Sequence, residues 1–459
     1  MQETRTEHDL LGEKQVPADA YYGIQTARAL ENFQVTGQRL HPALVRGLAQ
    51  VKKAAAQANH QLGYLPKHIA DAIVQACDEI IAGQLADQFP IDPVQGGAGT
   101  SANMNANEVI ANRAIEILGG RKGDYSLVSP NDHVNFAQST NDAFPTALRL
   151  ALLERVDVLV ENLVGLEEAL RAKAVEFDDV VKVGRTHLQD AVPIRLGQEF
   201  MAWRSAVERG RRRVQQAAEV LCEVNMGATA VGTGLNADPA YPPLVVEILS
   251  RNTGRNLRLP KDLVDATQNV DPLVALSGNL KALAVSLSKI ANDLRLMASG
   301  PRCGLFEIRL PEMQPGSSIM PGKVNPVIPE ATLQVAAQVI GNDAAVAFAG
   351  SQGNFQLNVM LPVIARNVLE SARLLAAVSR LLADKVFAGL QVNAERAREY
   401  AESSPSIVTP LNRYIGYEEA AAVAKQALRE RKTIRQVVLE RGYVEAGKLT
   451  LEQLDEALD

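Results

Sequence analysis

The chain has 459 residues, 47% of them hydrophobic and only 4% aromatic, and a formal net charge of −6. Such a length allows about three domains, and a composition rich in Ala and Leu but poor in aromatics favours helices over sheets. The negative balance argues against nucleic acid as a partner.

Three cysteines, Cys77, Cys222 and Cys303, lie far apart and form neither a disulfide framework nor a zinc motif, which suits a reducing cytoplasm. Six histidines are scattered, again without metal-ligand spacing. The N-terminus is charged and lacks the apolar core of a signal peptide. No apolar run approaches a membrane span. The expectation is a cytoplasmic protein with no membrane partner.

In chain order, residues 1–141 read as short helical stretches mixed with turns. The segment Gly97-Ala98-Gly99-Thr100-Ser101-Ala102 fits the dinucleotide pattern formally. The preceding Ile91-Asp92-Pro93-Val94-Gln95 is not a buried strand, so nucleotide binding is rejected. An anion cradle fits better, with Thr100 and Ser101 on a glycine-rich loop leading into a helix from about Asn107. A second polar loop, Ser139-Thr140-Asn141-Asp142, precedes a long helix placed after Pro145, for which its residues are also good caps.

Two helix seams follow. Leu152, Val156, Leu159, Leu163, Leu166 and Leu170 form one, and Leu276, Leu280, Leu283, Leu287, Ile290, Leu294 and Met297 the other. Weaker patterns at 198–224, 330–349 and 361–388 bring the long helices to five, each about 30–45 Å at about 1.5 Å per residue. Gly184-Arg185-Thr186-His187-Leu188-Gln189-Asp190 reads as a polar loop before the second of them, and a glycine-rich loop spans Gly227 to Asn236. After about residue 396 comes a smaller helical tail, ending near Leu451–Leu458.

The densest polar segment is Gly316-Ser317-Ser318-Ile319-Met320-Pro321-Gly322-Lys323-Val324-Asn325-Pro326. Its glycines and prolines forbid a regular helix or central strand. Five residues separate Gly316 from Gly322, and Val324 follows the lysine, so it is not a phosphate loop. A serine acts as a base only if its alkoxide is stabilised, which consecutive backbone N–H groups can do. Lys323 and Asn325 suit a carboxylate by charge and hydrogen bond. The alternative is a surface turn rich in small residues.

This segment resembles the signature of the aspartase/fumarase superfamily, whose members eliminate ammonia, water or an amine to make fumarate. The likeness extends over essentially the whole chain, through Gly97–Asn103, Gln138-Ser139-Thr140-Asn141-Asp142 and Thr186-His187, and is closest to the aspartases. It implies a mainly α, three-domain fold: an N-terminal domain over 1–141, a central five-helix bundle over 142–396 and a small C-terminal domain over 397–459. It further implies L-aspartate ⇌ fumarate + ammonia without a cofactor. The superfamily assigns the Cβ proton to Ser317, and His187 joins it among the catalytic candidates. Thr100, Ser139, Thr140 and Ser318 would bind the β-carboxylate, Lys323 and Asn325 the α-carboxylate, and Asn141, Thr186 and His187 would surround the amino group.

Fumarase is the competing reading, and an inactive superfamily scaffold a further one. Fumarases tend to read Gly-Ser-Gly-Thr-Gln-Ser-Asn at the first loop, Ser-Ser-Asn-Asp at the second, and Thr-Gln after the fourth, where this chain has Val327-Ile328-Pro329-Glu330. One departure from both families is Thr409-Pro410-Leu411-Asn412-Arg413 in place of Thr-Ala-Leu-Asn-Pro. If consecutive bundle helices run antiparallel, the loops before the first and second lie at opposite ends, so the site requires an oligomer. The resemblance sets it as a homotetramer with active sites shared between subunits.

Overall fold

Alternation of apolar residues in steps of three and four dictates the long elements of the computed structural model, which describes residues 3–458. It opens with an antiparallel hairpin, β1 (Thr4–Asp9) and β2 (Gly12–Pro17), turned at Leu10-Leu11 between the paired Asp9 and Gly12. Four helices follow: α1 (Ile24–Asn32), α2 (Pro42–Gln61), α3 (Lys67–Ile81) and α4 (Thr100–Ile117). Next come α5 (Thr140–Glu176), a second hairpin of β3 (Val181–Thr186) and β4 (Gln189–Arg195), and α6 (Leu196–Glu219). Then follow α7 (Tyr241–Thr253), α8 (Leu263–Gln268), α9 (Asp271–Met297) and the short β5 (Ile308–Arg309). The chain continues with α10 (Val327–Gly350), α11 (Leu361–Leu381) and β6 (Gln391–Val392), which pairs with β5. It closes with α12 (Ala394–Ser403), α13 (Asn412–Ile415), α14 (Tyr417–Glu430), α15 (Ile434–Glu440) and α16 (Leu451–Leu458).

The fold is mainly α, and the expected long helices are α5, α6, α9, α10 and α11. Every named residue of the two strong seams is buried. α5 is longer than expected: 37 residues, about 55 Å. It starts at Thr140 and runs through Pro145. Proline cannot donate to the carbonyl four residues back. That carbonyl, Asn141 O, instead accepts the Asn225 side-chain amide at 3.1 Å, so the proline is tolerated.

The chain divides into two compact units. The first comprises the chain up to Glu161 with Gly210–Ala284 and Val335–Ala377; the second comprises Asn162–Arg209, Val285–Gln334 and the chain from Val378 onward. In the first, small residues let helices touch: a Cβ on Gly47 of α2 would lie 2.3 Å from the Ala147 carbonyl of α5. Ser277 donates to Asp343 at 2.7 Å and Asn342 to Ser371 at 3.1 Å, polar pairs that fix the register of α9, α10 and α11. In the second, Phe200 packs against Phe177, Trp203 and Phe387. The tail forms its own apolar cluster around Leu411, Val423, Val437 and Leu454.

Several local expectations are corrected. The N-terminal stretch opens with strands rather than helical turns. α4 begins at Thr100, seven residues before the expected start. Residues 181–195 form a hairpin, not a loop. By length and composition, α9 is apolar enough to cross a membrane, contrary to the expectation that no run approaches such a span; here its seam is buried in protein.

Candidate active site

In the first unit, two helix N-termini meet. Gly99 turns the chain into α4 at φ +99°, and a Cβ there would lie 2.5 Å from the Phe144 ring, so the close approach requires glycine. Thr100 donates its hydroxyl to Gly97 O at 2.7 Å. At the start of α5, Ser139 Oγ accepts the Asn141 N–H and Asp142 Oδ1 accepts the Ser139 N–H, a reciprocal cap. Asn103 of α4 donates to Thr140 Oγ1 at 3.2 Å. The structure therefore joins Thr100, Ser139, Thr140 and Asn141 through their helices, whose free N–H groups favour an anion.

The glycine-rich loop from Gly227 is bolted to this corner. Asp142 Oδ2 accepts N–H groups from Gly227 at 3.1 Å and Thr229 at 2.9 Å, and Asn141 donates to Ala230 O at 2.7 Å. Asp142 is fully buried, and burial pushes its carboxyl up to about 6 against the opposing pull of these N–H groups and of Lys52. Lys52, Asn103 and Asp142 were not singled out from sequence as supports of the site. Lys52 sits in an unremarkable Val-Lys-Lys run, and only its distant partners Asn135 and Gln138 reveal its burial.

The second unit carries the other candidates. Thr186 pairs with Gln189, leaving His187 and Leu188 as a two-residue turn at φ +57° and +61°. Tight hairpins require such values, usually from Asn or Gly, and bulkier residues held there are a form of local strain common at functional sites. Both side chains are exposed. The adjacent Arg185 donates to the buried Glu307 at 2.8 Å, and Lys182 bridges Glu307 and Glu199, anchoring the hairpin.

The segment 316–325 is a closed loop. Gly316 N donates to Lys323 O at 2.7 Å, and Asn325 Nδ2 returns to Gly316 O at 2.6 Å. Ser317 Oγ accepts two backbone N–H groups, from Ile319 at 3.3 Å and Met320 at 3.0 Å. Those donors point where alkoxide charge would develop. A concavity of about 390 Å³ is lined by Ser317, Met320 and Lys323 among others. Ser318 and Lys323 are exposed, while Asn325 commits one amide hydrogen to closing the loop. Among the described residues, no group of three His, Cys, Asp or Glu side chains could hold a metal.

A family model described as lyase matches residues 12–341, and one described as fumarase C C-terminus matches 407–459. The chain belongs to the aspartase/fumarase superfamily of lyases. A Bacillus sp protein named aspartate ammonia-lyase is 52% identical over 457 residues, covering 100% of this chain and 97% of that protein. A Mycobacterium tuberculosis protein named fumarate hydratase class II is 55% identical over 457 residues, covering 99% and 95%. The crystal structure of a Brucella melitensis protein described as fumarate lyase:delta crystallin, bound to cobalt, superimposes with a TM-score of 0.96 at 51% identity, covering 100% of this chain and 98% of that one.

Proposed function

We propose that the chain catalyses the reversible elimination of ammonia from L-aspartate to give fumarate, with Ser317 as the base. The observation that carries the elimination chemistry is the pair of N–H groups donated to Ser317 Oγ. They lower the cost of an alkoxide, which can then take the Cβ proton. Proton loss beside a carboxylate leaves a dianionic aci-carboxylate, so donors that strengthen on that group lower the barrier. Thr100, Ser139, Thr140 and Ser318 take that role, Lys323 and Asn325 hold the α-carboxylate, and Asn141, Thr186 and His187 surround the amino group. Ammonium leaves as neutral ammonia, which asks less of a general acid than hydroxide does.

The preference for aspartate rests on Thr100-Ser101-Ala102-Asn103 and Ser139-Thr140-Asn141-Asp142, which follow the aspartase pattern. Hydration of fumarate to L-malate is the second reading, favoured by the 55% identity to a fumarate hydratase. Intact Ser317, Lys323, Asn325 and His187 speak against an inactive scaffold. We further propose a cytoplasmic homotetramer in which neighbouring chains complete each site.

The test is fumarate formation, followed by ultraviolet absorbance, from L-aspartate and from L-malate in parallel. Turnover of aspartate alone supports the proposal; turnover of malate alone replaces it with fumarase. Turnover of neither removes both.

A further inference from the structure

Behind Thr140 lies a buried polar cluster whose donors converge on the side-chain oxygen of Asn135. Lys52, fully buried, donates from Nζ to Asn135 Oδ1 at 2.9 Å and to Gln138 Oε1 at 2.8 Å. The orientation of both amides is forced. Gln138 Nε2 donates to the carbonyls of Val134 and Phe136, and Asn135 Nδ2 donates to Gln138 O. Their oxygens must therefore face the lysine. Asn135 Oδ1 also accepts Asn103 Nδ2 at 3.2 Å and Asn107 Nδ2 at 3.1 Å.

Asn103 Nδ2 thus faces two acceptors, Asn135 Oδ1 and Thr140 Oγ1. Flipping that amide would set its oxygen against Asn135 Oδ1, so the donor assignment holds. The arrangement leaves Asn103 Oδ1 buried without a hydrogen-bond partner, as are the Oδ1 atoms of Asn105 and Asn107 on the same helix. Its consequence is felt at Thr140. A hydroxyl whose lone pair is taken by an amide that can only donate must give its own hydrogen elsewhere.

We infer that Lys52, Asn135 and Asn103 are positioning residues that hold the Thr140 hydroxyl with its hydrogen turned outward, ready to donate to a substrate carboxylate. The inference rests on the proposed contact between Thr140 and the β-carboxylate. Because that contact strengthens as the dianion forms, its orientation should show in kcat rather than KM.

A double-mutant cycle on the full-length protein tests this, using Asn103→Leu, Thr140→Val and the pair, with aspartate as substrate and urea midpoints to establish folding. If malate proves to be the substrate, it replaces aspartate in the same cycle. Each single change should lower kcat about ten-fold with KM within about two-fold, and the pair should be no worse than Thr140→Val within about two-fold. Should Asn103→Leu not fold, Asn103→Ala, which only removes atoms, is read by the same cycle. Losses that multiply to about 100-fold in the pair would show Asn103 acting independently of Thr140 and overturn the inference. Native kcat in the Asn103 variant would overturn it as well. No turnover of either acid by the native protein overturns the functional reading and this inference together, which separates the two failures.

Discussion

Replacing Asp142 by asparagine probes the corner on which α5 and the Gly227 loop both depend. The carboxylate is fully buried and accepts N–H groups from Ser139, Gly227 and Thr229 at 2.9, 3.1 and 2.9 Å. An asparagine offers one acceptor oxygen. Turned toward Gly227 and Thr229, it leaves the Ser139 N–H facing an NH₂, an orphaned donor costing about 1–3 kcal/mol. The two surviving bonds lose charge assistance, about 0.5–1 kcal/mol each. Lys52 loses its opposing charge, while relief of the carboxylate's own desolvation offsets part of the total. Asp142→Asn should therefore lose about 2–4 kcal/mol of stability. Urea unfolding with an unchanged m-value reads that loss from the shift in midpoint. Because the first turn of α5 carries Thr140 and Asn141, kcat should also fall about ten-fold or more. A stability change below about 0.5 kcal/mol, or a gain, would refute the hydrogen-bond reasoning.

Ser317→Ala should leave the fold intact by circular dichroism and cut turnover about 10²-fold or more; near-native turnover would remove Ser317 as base. Gly316→Ala places a Cβ 2.7 Å from Asn325 N and Lys323 O, so it should spread the loop and lower kcat/KM about 10²-fold with little change in urea midpoint. An unaffected kcat/KM would show that the loop's closure is not needed. Lys52, faced by Asp142 and Cys77, is pulled by burial from 10.5 to about 7. At this group the folded protein then binds fewer protons than the unfolded chain between those values, so Lys52 by itself makes stability rise with pH through that window. Lys52→Met should flatten that rise in urea midpoints measured across it, and parallel slopes in both proteins would contradict the assignment.

The bundle was legible in the sequence because its seams repeat: Leu152 to Leu170 and Leu276 to Met297 are buried as their spacing required. The loop 316–326 was legible because Gly and Pro exclude regular structure there. Less legible was the start of α4. Asn103 and Asn105 look like loop residues, yet both are buried in the helix, their amides met by Asn135, Thr140 and the Gln88 carbonyl. Helix propensity cannot anticipate partners that arrive from elsewhere in the chain. The second hairpin was hidden for a related reason. Its turn is His187-Leu188, lacking the Asn-Gly signal that marks a two-residue connection.

The supports of the site were least visible of all. Asp142 reads as a helix cap, and it is one, but its second oxygen holds a loop more than eighty residues away. Arg185 looks like part of a polar loop until Glu307 is found beneath it. In each case the decisive partner is distant in sequence, and only the fold brings the charges or donors together.

The central claim is tested most directly by letting ammonia and water compete. Fumarate is supplied with ammonium in D₂O, and the products are resolved by proton NMR. The account predicts aspartate carrying a single deuterium at Cβ, with malate minor. Malate as the main product in the presence of abundant ammonium would contradict it.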